Sequence, residues 1–158
     1  MGVKFSGSDI VAMGLEIEKN GKEYYEGVVK CSKSAEAKKM FEMLVGEELK
    51  HVSYFEKLLV SLEQEEIAES YAGEYHEYMS HLAGLHIFKK AGAGKEKACK
   101  ITSDKEALET AASFEKDSIL FYYELKNFII ALDQQVLDEV IEQEKIHLSK
   151  IMELLKKY

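Results

Sequence analysis

The sequence predicts an all-α protein: an antiparallel four-helix bundle made of two duplicated helical hairpins joined by one long crossover. Three observations point there. The 158 residues include no proline, and the 24 glutamates with many lysines and leucines suit long, uninterrupted helices. Apolar residues recur at spacings of three and four through four long segments, the period of a helix with one buried face. The second pair of segments also repeats the first at a nearly constant offset: IEKNGKEYY (17–25) lies over FEKDSILFY (114–122) at 97, and EELKH (47–51) over QEKIH (143–147) at 96.

The first helix is expected from about Ser8 to Cys31 and the second from about Ser34 to Leu62. The third is expected from about Asp104 to Leu132 and the fourth from about Gln134 to Lys157. At 1.5 Å per residue each is roughly 35–43 Å long. Ser32, Lys33 and Ser34 link the first pair, and little more than Asp133 links the second. Linkers this short force antiparallel hairpins, with repeats of about 8–62 and 104–157. Ser34 and Asp133 are natural N-caps, and Ser103 with Glu106 reads as a capping box. The drop in offset from 97 to 96 places one missing residue in a tighter second turn. The crossover covers about 63–103. In it Tyr71, Tyr75, Tyr78, Leu82 and Leu85 form a stripe that predicts a shorter helix, and AGAGKEKACK (91–100) reads as a flexible link into the third long helix. The length fits a single domain spanning 1–158.

The composition also excludes several functions. A net charge of −8, with all 21 basic residues lysine, argues against a nucleic-acid partner. No run of about 18 apolar residues and no apolar N-terminal signal is present, so no membrane role is expected and a soluble, cytoplasmic protein is. Cys31 and Cys99 are isolated, so no CxxC pair provides a rubredoxin-type iron site or a zinc ribbon.

Four glutamates break the pattern. Glu18, Glu48, Glu115 and Glu144 each stand in the apolar stripe of a different long helix. Glu144 fills the step between Ile141 and Leu148, where an aliphatic side chain belongs. His51 follows Glu48 by three residues and His147 follows Glu144 by three, and such pairs share a helix face about 5–6 Å apart. Gly14, Gly21, Ala111 and Ala112 flank the two first-in-pair glutamates and let helices approach closely. Four carboxylates and two imidazoles thus converge on the bundle centre. Unpaired, such buried carboxylates cost several kcal/mol apiece, whereas two divalent cations would cancel their charge. An oxygen-rich site with two imidazoles suits iron or manganese. A lone ExxH motif carries little weight. Two at equivalent points of a repeat, each 30 or 29 residues after another core glutamate, carry much more.

With these motifs the chain resembles the ferritin-like di-iron carboxylate superfamily, and within it the rubrerythrin-like group, over about residues 8 to 157. The resemblance implies a ferritin-like bundle whose metal ligands are Glu18, Glu48, His51, Glu115, Glu144 and His147. Glu48 and Glu144 would bridge two iron ions (manganese or a mixed Fe/Mn pair is the alternative), with Glu18 and Glu115 terminal. Tyr25 and Tyr122, seven residues past Glu18 and Glu115, match family tyrosines that hydrogen-bond the ligand carboxylates. The implied activity is reduction of hydrogen peroxide or dioxygen, or oxidation of ferrous iron, in oxidative-stress defence or iron handling. The resemblance further implies a homodimer. Without a rubredoxin-type site of its own, the chain would take electrons from a separate donor such as a rubredoxin-type protein. Rubrerythrins carry a further carboxylate three residues after the third-helix ligand. Here Ser118 stands there, which implies a symmetric site of four glutamates and two histidines.

Two other readings stay open on sequence: a metal-binding protein without turnover, and a metal-free helical interaction module. An oxygenase on an organic substrate has no channel legible in the sequence. His76, His81 and His86, five residues apart, read as surface or interface residues. Glu16, Glu23, Glu26 and Glu47 read as surface charges, and EQEE (63–66) as the exposed end of the second helix.

Overall fold

The computed structural model describes residues 7–64, 77–79, 81–82, 90–129 and 131–158, and among these every regular element is helical. Helix α1 (Gly7–Cys31) and α2 (Ala35–Gln64) form the first hairpin. A short α3 (Ala93–Lys100) precedes α4 (Asp104–Leu125) and α5 (Ala131–Leu155), which form the second. Laterally, α1 packs on α4 and α2 on α5, giving the antiparallel four-helix bundle. Tyr24 on α1 donates from its hydroxyl to the Ala107 carbonyl on α4 at 2.7 Å, and Tyr54 on α2 donates to the Asp133 carbonyl on α5 at 3.3 Å.

The bundle closes because each helix turns one apolar stripe inward. Ile10, Ile17, Tyr24 and Val28 from α1 meet Phe41, Leu44, Phe55 and Leu58 from α2, Leu108, Phe114 and Phe121 from α4, and Leu137, Ile141 and Ile151 from α5. All are buried. The first turn is closed from outside its own hairpin. The buried Asp104, in the first turn of α4, accepts hydrogen bonds from the backbone N–H of Lys33 at 3.1 Å and of Ser34 at 2.7 Å. Ser34 then caps α2 by accepting from the Ala37 N–H at 3.0 Å, as its sequence position predicts. Ser103 likewise accepts from the Glu106 N–H at 3.1 Å, but the expected capping box is shifted by one residue. The Glu106 carboxylate reaches Thr102, taking its N–H at 3.0 Å and its hydroxyl at 2.9 Å.

The second turn departs from expectation. The third long helix stops at Leu125, well short of Leu132, and winds into a 3-10 turn (Lys126–Phe128) before Ile129 leaves in an extended conformation. The Gln134 side chain explains the stop. Its amide donates to the freed carbonyls of Lys126 at 2.9 Å and Ile129 at 3.1 Å, replacing helical hydrogen bonds at that end. Asp133 is therefore not an N-cap. It lies in the first turn of α5, where a carboxylate still favours the positive end of the helix dipole. Counting the 3-10 turn, two residues (129–130) separate the helical segments of the second hairpin where three (32–34) do in the first, so the missing residue falls in the second link, as expected.

The glycine-rich AGAGKEKACK is not a flexible link either. Gly92 takes a left-handed backbone (φ 80°) and starts α3, which lies against α1. A Cβ at Gly94 would overlap the Asn20 carbonyl oxygen, so only glycine allows this approach. Buried Asn20 fastens the contact by donating to the Lys90 carbonyl at 2.8 Å and accepting from the Gly94 N–H at 3.1 Å. Earlier in the crossover, residues 77–79 and 81–82 are helical; among these Met79 is buried, Leu82 of the expected stripe packs partly buried against the core, and Tyr78 of the stripe is exposed. Tyr71, Tyr75, Leu85, His76 and His86 lie outside the described residues, and His81 is exposed. No described helix is long and apolar enough to cross a membrane.

Candidate metal centre

At mid-bundle the four stripes are interrupted together. Glu18 comes from α1, Glu48 and His51 from α2, Glu115 from α4, and Glu144 and His147 from α5, and all six side chains are buried. They form two overlapping groups. Glu18, Glu48, His51 and Glu144 each offer one donor atom, all within 4.8 Å of one another, and so do Glu48, Glu115, Glu144 and His147. Glu48 and Glu144, expected from the family resemblance to be shared, belong to both groups. Glu18 falls with His51 and Glu115 with His147. The two imidazoles stack at 5.9 Å between ring centroids. Room for Glu48 comes from α1: a Cβ at Gly21 would overlap the Phe114 ring and stand 3.0 Å from Glu48 Oε2.

The donor atoms lack donors. Both oxygens of Glu48, Oε2 of Glu18, Oε2 of Glu115 and Oε1 of Glu144 are buried without a hydrogen-bond partner. His51 Nδ1 lies 3.3 Å from Glu18 Oε2 and from Glu144 Oε1, yet makes a hydrogen bond to neither. His147 Nδ1 is 2.9 Å from Glu144 Oε2 and 3.8 Å from Glu115 Oε2. Buried polar atoms are nearly always paired, so five orphan carboxylate oxygens around one point mark a place built for something positive. A pair of divalent cations fits this donor set in charge, in hardness and in the convergence of the atoms.

The charge imbalance shows in the metal-free cluster's proton affinities. Burial, with the charges of Glu18 and Glu144, holds the Glu48 carboxyl well above the usual range. Burial and Glu144 push Glu115 up to about 8 despite His147. Burial alone would raise Glu144 as well, but the imidazoles of His51 and His147 outweigh it and keep its carboxyl below the usual range. Burial would lower both histidines; their carboxylate neighbours prevail, lifting His51 well above its ordinary value and His147 to about 9.

Two tyrosines orient the outer carboxylates, and they do so crosswise. Tyr25, from the same helix as Glu18, donates to Glu115 Oε1 at 2.6 Å. Tyr122, from the same helix as Glu115, donates to Glu18 Oε1. Tyr25 stacks on Phe41 and meets Phe114 edge-on, while Tyr122 packs on Phe55, so aromatic rings enclose the carboxylates. Ser118, at the position of the extra rubrerythrin carboxylate, is buried. Gln143 was not foreseen from sequence. Its Oε1 is 2.8 Å from His51 Nε2, the ring nitrogen facing away from the cluster. The available signal was position: Gln143 directly precedes Glu144, as Glu47 precedes Glu48.

Fold and cluster together define a ferritin-like protein whose buried glutamate and histidine residues suit a di-metal site. Among solved structures, the chain matches a candidate ferritin-like diiron-carboxylate protein from Thermotoga maritima, with a TM-score of 0.77 and 28% sequence identity over 99% of this chain and 98% of that one. No protein-family model matches the chain, and no curated protein does.

Proposed function

We propose that the protein is a rubrerythrin-like di-iron oxidoreductase that reduces hydrogen peroxide or dioxygen, with oxidation of ferrous iron as the linked half-reaction. The observation that carries this reading is the pair of overlapping donor groups sharing Glu48 and Glu144, with five buried carboxylate oxygens unpartnered. Glu18 and His51 would hold one cation, Glu115 and His147 the other, and Glu48 and Glu144 would bridge them. Bound iron would supply the two electrons that, with two protons, turn one peroxide into two waters. The chain's own part is positioning. Tyr25 and Tyr122 fix the outer carboxylates, Gln143 fixes the His51 ring, and the rings of Phe41, Phe55 and Phe114 keep bulk water from the carboxylates. A homodimer and a separate rubredoxin-type electron donor belong to the same proposal.

Anaerobic ferrous titration of the metal-free protein tests it, with metal counted per chain after desalting beside a Glu48→Ala, Glu144→Ala double variant. Two irons per chain in the wild type, lost in the variant, and oxidation by peroxide faster than that of free ferrous iron are expected. No retained metal would leave the cluster structural and end the reading. A second reading, metal binding without turnover, draws on Ser118 in place of the extra family carboxylate. Two retained irons with oxidation no faster than in solution would favour it.

A further inference from the structure

Cys31 and Cys99 stand 68 residues apart in sequence and share no motif, yet the fold brings them to one place. Cys31 closes α1, Cys99 lies in the last turn of α3, and both line a groove of about 490 Å3 between these helices. Both thiols are free and exposed. The groove runs beside a close contact of the two backbones. A Cβ on Gly27 would stand 2.4 Å from the Ala98 Cβ and 3.8 Å from its Cα. Cys31 is one turn beyond Gly27. Its Sγ turns back over that turn, 3.7 Å from the Gly27 carbonyl oxygen and 3.5 Å from that of Val28. Cys99 follows Ala98 directly, so the two thiols border the same helix contact.

We propose that Cys31 and Cys99 form a reversible redox pair, oxidised by hydrogen peroxide to a disulfide that fastens α3 to α1, and reopened by a dithiol. The buried glutamates and histidines take no part, so this inference and the proposed function can fail separately. One thiolate attacks a peroxide oxygen; the S–O bond forms as the O–O bond breaks, and the hydroxide that leaves is protonated to water. The second thiolate attacks the sulfenic sulfur, the S–S bond forms, and the hydroxyl leaves as water. The two thiols give up two electrons and two protons, and one peroxide becomes two waters. A disulfide spans about 4–7 Å between Cα atoms, and helices approach most closely where a glycine faces an alanine. Both cysteines also lie at helix ends, which fray and adjust more readily than helix interiors. A cation site fits the groove less well: among the described residues, groups of three or more ligating side chains occur only at mid-bundle.

The test counts thiols in the reduced, full-length chain, with a chelator present so that no metal consumes the peroxide. Two thiols should react with a chromogenic disulfide before treatment and none after one equivalent of hydrogen peroxide, with the intact mass lower by two hydrogens. A peptide map should join Cys31 to Cys99 within one chain, and dithiothreitol should restore both thiols. Pairing should run faster in the native chain than in urea. Because the bridge closes a loop of 68 residues, it should raise Tm by about 5–15 °C and slow amide exchange over 93–100. In Cys31→Ser and in Cys99→Ser the remaining thiol has no partner within the chain, and the rise in Tm should disappear. The inference is overturned if the thiols survive, if they pair only between chains, or if native and unfolded chains pair at equal rates. A bridge that leaves Tm and exchange unchanged, or a rise in Tm that persists in the single variants, overturns it equally.

Discussion

Filling the candidate site with cations should drive protons out of it, and the number follows from the groups that hold them. At pH 7 the metal-free cluster keeps protons on Glu115, whose carboxyl lies at about 8, and on His147 at about 9; Glu48 and His51 are also held above their ordinary values. Cations require ionised carboxylates and neutral imidazoles. Two of them should therefore release at least about two protons, or about one each, so the affinity for each should rise at least about 10-fold per pH unit near neutrality. At 1.36 kcal/mol per pKa unit this is about 1.4 kcal/mol per cation per pH unit. Calorimetric titration with Mn2+ in buffers of different ionisation enthalpy counts the protons directly. Fewer than one proton per cation, or an affinity that is flat from pH 6 to 8, would refute the reasoning.

The same groups set the stability of the metal-free protein. Raised folded-state values mean that Glu115 contributes stability that is lost as pH rises from 4.5 through about 8, and His147 from 6.5 through about 9. Glu144 acts oppositely, its contribution present above 4.5 and lost in acid. Metal-free Tm should accordingly be highest in mild acid and fall toward pH 9.

Glu48→Gln removes a carboxyl whose ionised form is opposed by burial and by the charges of Glu18 and Glu144, so it should raise metal-free Tm at alkaline pH and abolish the Tm increase given by added Mn2+; thermal scans with and without the ion check both. Tyr25→Phe and Tyr122→Phe each strip a buried carboxylate oxygen of its donor and should cost about 1–3 kcal/mol in denaturant unfolding, together with weaker metal retention. Gly94→Ala forces α3 off the Asn20 carbonyl and should cost about 3 kcal/mol, with faster amide exchange in 90–100. Asp104→Ala leaves the Lys33 and Ser34 N–H groups without their acceptor and should cost about 1–3 kcal/mol, read by urea unfolding.

The long helices and the meeting of Glu18, Glu48, His51, Glu115, Glu144 and His147 were legible because a glutamate inside an apolar stripe is conspicuous, and four at repeat-related places more so. Tyr25 and Tyr122 followed from family likeness, yet their crosswise pairing did not, since seven-residue spacing along one helix says nothing about which facing carboxylate the hydroxyl meets. The end of α4 was hidden for a different reason. The apolar run FIIAL (128–132) suits a helix and a buried turn equally, and the choice is made by the Gln134 side chain, whose partners are its own neighbours only after the chain has turned. AGAGKEKACK reads as loose because its stabilising contact, the Asn20 side chain, is more than 70 residues away in sequence. Gln143 carries no signal of its own in the sequence because a polar residue beside a buried one ordinarily faces water.

The crossed tyrosines make each half of the chain the other's proofreader. A hairpin alone brings a glutamate, a carboxylate shared by both donor groups and an imidazole, but the hydroxyl that aims its outer carboxylate belongs to the opposite hairpin. Mispaired or half-folded chains thus present carboxylates that nothing orients, and the capacity to capture metal would arise only in a molecule whose two halves have docked correctly.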